Sequence, residues 1–546
     1  MTTSIWARRR LVPAITITVT TLAVAFSPTA AGAVPQTVRA IGDVDITSTM
    51  VSGVDVDAST IPQLESQMNR GKLSSAALVR FYERRIVQLN PKLHAVITVS
   101  KTAVTEAAAA DLARRHGDRR PLLGIPVLVK DNIDTTGMPT TAGSLALAGS
   151  TPSDAFIVMR LKAAGALILG KTNLSEWANY RSTQSSSGWS GVEGQTHMAY
   201  VLDRNPCGSS AGSGVAASAD LATVAVGTET DGSVVCPSGQ NGLVGIKPTL
   251  GLASRSGIVP ISAQQDTAGP MARNVTDAAV LLGALTGIDK TDPATAAQRG
   301  NVSADYTKYL KAGALKGARL GVWRKGTFGS SPETDAIMEN TITKLKSLGA
   351  VIVDPANVPI SPAYASENTA LQYEFKHDIA SYLRKNTSPR YPKTLADLIR
   401  FDNAHPVQEL KYFGQEIFIQ AQARGPLTDP AYRKARSDAR SIAQHSIDDT
   451  MAKYKLDAII APTNSPAWTT DLINGDHFTV SSSSPAAIAG YPSVTVPAGY
   501  SFHLPVGASF IGGKWDEPEL IALTYAWEQA THIRRAPQFL PTVPTP

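Results

Sequence analysis

At 546 residues, with 43 % hydrophobic and 18 % charged side chains, the chain can bury a large core, and its composition is not that of a disordered polymer. Its formal charge is +6, with no Lys/Arg block of the kind that marks a partner nucleic acid or membrane surface. Its two cysteines and nine histidines form no metal-ligand cluster.

The chain opens on what reads as an export signal. Arg8, Arg9 and Arg10 form a positive start, Leu11 to Phe26 an apolar stretch diluted by threonines, and Ala31-Gly32-Ala33 a small-residue cleavage site. Residues 1–33 are therefore expected to be a signal peptide. The apolar run is short and holds Pro13, which argues against a membrane anchor. Arg8-Arg9-Arg10-Leu11-Val12 also resembles a twin-arginine signal, so both that route and ordinary secretion are open. Removing three arginines and no acids leaves 48 basic against 45 acidic side chains, or +3. The mature protein is expected to be secreted or extracytoplasmic, with no stable membrane association.

After a short extension (34–54), Ser74 and Ser75 can cap a helix carrying Leu78, Phe81, Ile86 and Leu89, with Asn90-Pro91 as its stop. Alanine-rich Ala103 to Arg115 reads as a second helix. Short β-type runs then recur at Ile125–Val129, Ala166–Leu169, Thr223–Val226, Leu320–Trp323, Val351–Val353, Ala458–Ala461, Ser493–Val496 and Ala508–Ile511. Helical stretches separate most of them. That alternation predicts an α/β fold on one mixed, mostly parallel sheet covered by helices on both faces. Residues 330–455 read as a helical excursion over one face. A last helix is expected at about Pro518–Ala530, and a Pro-rich tail (536–546) as an extended strap.

Three segments carry chemistry. In Gly124-Ile125-Pro126-Val127-Leu128-Val129-Lys130-Asp131-Asn132 an apolar strand ends in a lysine. Strand ends are where α/β proteins build sites, and a lysine against low-dielectric walls loses its proton readily enough to act as a base. The competing reading is an ion pair of Lys130 with Asp131 or Asp134. In Cys207-Gly208-Ser209-Ser210-Ala211-Gly212-Ser213-Gly214 small residues and hydroxyls open a helix. In Gly227-Thr228-Glu229-Thr230-Asp231-Gly232-Ser233 small residues lead from a strand into a serine, a pattern that can aim consecutive backbone N–H groups at one spot. Two serines and a lysine can form a proton relay, since a serine is a poor nucleophile until a base takes its proton. Cys207 and Cys236 flank these segments and are open to a bridge or to two small buried residues.

G-I-P-V-x-V-K-D, the G-S-S-x-G loop and G-T-x-x-x-G-S resemble the amidase-signature family in order and spacing. Leu169-Gly170-Lys171-Thr172-Asn173, Gly242 to Thr249, Gln265-Asp266-Thr267-Ala268-Gly269-Pro270, Ala461-Pro462-Thr463 and Gly490-Tyr491-Pro492 also fit, so the resemblance spans roughly 55–535. It implies one large catalytic domain, Lys130 as base, Ser209 as bridging serine after a cis peptide, and Ser233 as nucleophile. It further implies an oxyanion hole from the backbone of Thr230, Asp231, Gly232 and Ser233, and Asn179 near the substrate. No cofactor or metal is implied. Cys207-Gly208 and Asp231-Gly232-Ser233 depart from the Gly-Gly found at these places in many members. The variant Gly-Thr-Glu-Thr-Asp-Gly-Ser resembles the peptide amidase branch, which implies ammonia release from C-terminal amides of peptides. A broad-specificity aliphatic or aryl amidase, or a catalytically silent secreted binding protein, are the alternatives. The ammonia-transferring subunits of transfer-RNA amidation share the family but work inside the cell, which the signal peptide opposes. The oligomeric state stays open, with a monomer the simpler expectation.

Two other motifs compete. Gly208-Ser209-Ser210-Ala211-Gly212 matches the α/β-hydrolase elbow and would make Ser210 the nucleophile. Asp203-Arg204-Asn205-Pro206 before it cannot continue a central strand. Gly165 to Thr172 matches a phosphate-binding loop in letters, but its four apolar residues read as a strand.

Overall fold

A computed structural model describes residues 48–544. The expected signal segment and residues 34–47 lie outside them. The sheet strands are β1 (Val96–Val99), β2 (Pro126–Lys130), β3 (Leu167–Thr172), β4 (Val224–Glu229), β5 (Val244–Lys247), β6 (Thr267–Ala272), β7 (Arg319–Val322), β8 (Val351–Val353), β9 (Ala458–Pro462), β10 (Ser493–Ser501) and β11 (Leu504–Ile511). They form a single eleven-stranded sheet in the order β8-β7-β9-β11-β10-β5-β6-β4-β2-β3-β1. Every residue of β2, β3, β4 and β6 is buried. Successive residues of a strand face opposite sides, so helices cover both faces, as expected.

The weighting toward parallel pairing is corrected. Parallel neighbours are confined to β7/β8, β7/β9, β2/β4 and β2/β3. The other six contacts are antiparallel. The reason lies in three strands that the sequence runs do not include: β1 pairs antiparallel with β3 at one edge, and β5 and β6, with the β10–β11 hairpin, put an antiparallel block in the middle. β6 carries Gly269-Pro270, which reads as a turn. It is nevertheless a central strand, paired to β4 with Pro270 opposite Val226. Gly269 is required there, because a Cβ would fall 2.0 Å from the Ile246 carbonyl oxygen.

The first long helix, α1 (Ser75–Leu93), is capped by Ser74, whose side chain accepts from the Ala77 N–H. It runs through Pro91 and stops at left-handed His94, three residues past the expected stop. After α2 (Ala103–Arg115) and α3 (Val275–Leu285), the excursion 330–455 supplies α4 (Pro332–Ser347), α5 (Tyr364–Asn386), α6 (Leu395–Ala404) and α7 (Pro430–Tyr454). The last helix is Glu517–Thr531. The described tail runs alongside 199–202, with Phe539 N–H bonded to Ala199 and Leu540 N–H to Tyr200. Among the described residues no helix is long and apolar enough to cross a membrane.

Candidate active site

β2 and β4 are parallel neighbours with Val129 opposite Val226. Their carboxyl ends therefore emerge together, and the side chains that follow meet at one edge of the sheet. Lys130, the last residue of β2, is fully buried. Its Nζ lies 2.7 Å from Ser209 Oγ, 2.9 Å from Thr228 Oγ1 and 3.3 Å from the Thr228 carbonyl. Asn132 Nδ2 donates to the same Thr228 hydroxyl at 2.9 Å. The ion-pair reading of Lys130 fails on geometry. Asp131 pairs with Lys171 at 3.0 Å, and Asp134 accepts from Tyr382 and Asn386. Lys130 has no ion pair among the described residues, and burial brings its pKa down to about 7, opposed by the more distant Asp266 and Glu229.

Ser209 follows the cis Gly208–Ser209 peptide bond. Its carbonyl accepts from the Ser175 N–H at 3.0 Å. A side chain at Gly208 would have to displace Ser175 Oγ, which accepts from the Gly188 N–H at 2.8 Å. The next serine, Ser210, is fully buried and bonds to the Thr228 carbonyl and N–H. That role ties the loop to β4 and removes Ser210 as a free nucleophile.

Ser233 is brought beside Ser209 by the backbone, with Ser210 N–H donating to the Ser233 carbonyl at 3.3 Å. Its side chain makes no hydrogen bond to the protein among the described residues, so the second link of the relay is not formed here. Catalytic hydrogen bonds often close only once substrate is bound. Glu229 takes the N–H groups of Val234 and Val235 on one carboxylate oxygen, at 2.8 and 3.0 Å, and so fixes the chain just past Ser233. Gly232 sits at φ +80°, a conformation that glycine adopts without strain. The backbone N–H groups of Thr230, Asp231, Gly232 and Ser233 donate to no protein acceptor among the described residues. The Asp231 side chain accepts from Ser483.

Asn179 is half-buried at φ +67° and donates to Ser187 Oγ at 2.8 Å. Ser187 Oγ also lies against the Gly208 position, so Asn179 borders the serine loop at one remove. Thr228 and Asn132, both within the strand-end segments, join the site without having been expected from the sequence. Two more hydroxyl and amide groups at strand ends gave no signal of their own. The phosphate-loop match resolves as β3, with Lys171 buried in its ion pair.

Cys207 and Cys236 are joined in a disulfide. It links the residue two before Ser209 to the residue three after Ser233, and so clamps the two serine segments together. Replacing both cysteines by serine opens a loop of 29 residues and is expected to cost about 3–4 kcal/mol of stability. Denaturant midpoints of the two proteins, with and without reductant, measure this. An unchanged midpoint would show that the bridge constrains nothing.

Comparison with known proteins gives a consistent outcome. The family model described as Amidase matches residues 77–521. The native peptide amidase from Stenotrophomonas maltophilia superposes with a TM-score of 0.85 at 48 % identity, covering 88 % of this chain and 99 % of that one. A probable amidase of Arabidopsis thaliana is 38 % identical over 502 residues, 90 % of this chain and 93 % of its own length. The A subunit of a glutamyl-tRNA(Gln) amidotransferase from Acinetobacter baumannii is 32 % identical over 509 residues, 88 % of this chain and 98 % of the subunit.

Proposed function

This chain belongs to the amidase family, and from that premise we propose that it releases ammonia from C-terminal amides of peptides by a Lys130–Ser209–Ser233 relay. It is an amide carbon–nitrogen hydrolase, and the observation that carries the relay is the fully buried Lys130, free of any carboxylate partner among the described residues and 2.7 Å from Ser209 Oγ. An amine whose pKa burial brings down to about 7 is neutral in about half of the molecules at pH 7, and that fraction has a lone pair to offer. Lys130 takes the Ser209 proton as Ser209 takes that of Ser233. Ser233 Oγ attacks the amide carbon, and the oxyanion rests on the N–H groups of 230–233. The relay then protonates the departing amine. Water enters by the same route, gives up its proton and releases the acid.

Likeness to a peptide amidase over nearly all of that protein supports peptide amides as the substrate class. The substrate panel that tests this holds peptide amides, free amino-acid amides, short aliphatic amides and fatty amides, with ammonia as the readout. Peptide amides are expected to be the best substrates by kcat/KM. Faster turnover of another class would keep the mechanism and discard the substrate. We further propose that the protein works outside the cytoplasm. The disulfide supports this, because such bridges persist in oxidising compartments.

A further inference from the structure

Gln265 lies in the turn just before β6, fully buried. Its side-chain Oε1 accepts from Arg436 Nη1 at 3.0 Å. Its Nε2 donates to the Thr230 carbonyl at 3.1 Å and to Glu367 Oε1 at 2.6 Å. An arginine can only donate and a carbonyl can only accept, so the amide has one orientation that satisfies both ends. Arg436 is itself fixed by Glu374, with Nε 2.7 Å from Oε1 and Nη2 2.5 Å from Oε2. Glu374 is held in turn by Ser262 and Tyr432.

What this chain of contacts grips is a single peptide unit. In a trans peptide the C=O of one residue and the N–H of the next point in opposite directions. Drawing the Thr230 carbonyl toward Gln265 therefore turns the Asp231 N–H away from it. On the other side, the Gly232 carbonyl accepts from Cys236 N–H at 2.8 Å, which aims the Ser233 N–H in the same manner. We infer that Gln265 is a positioning residue for the oxyanion hole, held in register by Arg436 of α7 and Glu367 and Glu374 of α5. The inference rests on the assignment of residues 230–233 as that hole. It gives the excursion 330–455 a part in rate as well as in cover, because α5 and α7 set the angle of a donor that acts only when charge develops.

The test uses the full chain with Gln265→Glu and Gln265→Met. Both keep the length of the side chain. A thioether has no proton to give to the Thr230 carbonyl, and a buried carboxyl only accepts once ionised, so the rates are compared at alkaline pH, where neither variant donates. The substrate is whichever amide the wild-type chain hydrolyses fastest. Two probes accompany it: a peptide aldehyde, which adds to Ser233 as a tetrahedral oxyanion, and the matching peptide acid, which binds planar. In each variant kcat is expected to fall about tenfold or more, with KM held within about threefold. Aldehyde affinity should fall in step with kcat/KM while acid affinity stays put. A wild-type kcat in both variants would overturn the inference, as would equal losses for aldehyde and acid, since a merely structural role weakens both. Activity that survives Ser233→Ala would instead bring down the oxyanion-hole reading on which it rests.

Discussion

Ser233→Ala is expected to remove amide hydrolysis, by about 10⁶-fold in kcat, the order lost when the nucleophile of a serine hydrolase is deleted. The fold should be untouched. The residue is 8 % exposed and its side chain makes no hydrogen bond to the protein among the described residues, so deleting one oxygen leaves no buried partner unsatisfied. What holds Ser233 is its backbone, through Ser210 N–H and the Cys236-to-Gly232 bond, and alanine keeps both. Ammonia release and a melting curve on the same preparation check the two halves. An intact rate would sink the nucleophile assignment. A lost rate with a lowered melting temperature would leave unfolding as the cause. A serine-directed phosphonate gives a second, independent reading. It should label Ser233 and spare Ser210, whose hydroxyl is engaged by the Thr228 carbonyl.

The candidate site was more legible in the sequence than the sheet. Ser209 and Ser233 stand in segments dense in small residues, and the order and spacing of these with the Lys130 strand carry the family resemblance. The apolar run ending at Lys130 also announced its own strand. β6 was not visible because Gly269-Pro270 mimics a turn. The reason for that glycine, the Ile246 carbonyl pressed against it, comes from a strand more than twenty residues away. Pairing direction was misjudged for a similar cause. Local runs show that strands alternate with helices, but β5 and β6 insert between strands that are distant in sequence. The contacts that hold residues 230–233 were out of reach altogether. Arg436 meets Gln265 across 171 positions, and nothing in a run of alternating charged and alanine residues in α7 marks one arginine as buried. The identity of the partner of Lys130 was undecided for the same reason. Asp131 is adjacent in sequence, but consecutive residues at a strand end point to opposite faces, and it is Lys171 from β3 that meets Asp131.

Lys130→Met tests the base and produces opposite signs in rate and stability. The rate should fall by about 10²- to 10⁴-fold, the range a positioned general base supplies. In the wild type, kcat/KM should climb with pH through about 7 as the amine loses its proton, and the climb should vanish in the variant. Stability should move the other way. Bringing a lysine from 10.5 down to about 7 corresponds to about 5 kcal/mol of unfavourable surroundings for its ammonium form. The unfolded chain binds that proton up to 10.5 and the folded chain only up to about 7. Stability of the wild type therefore rises with pH between those values, and the whole penalty is present below pH 7. Methionine carries no such penalty and fills similar space. It gives up the contacts to Ser209 and Thr228, worth about 1 kcal/mol each. Lys130→Met should accordingly melt higher than wild type at pH 6, with the gap narrowing as pH rises toward 10. A variant that melts lower at pH 6 would mean that the lysine is charged and well paired in the folded chain. It could then not serve as the base, and the relay would need another acceptor for the Ser233 proton.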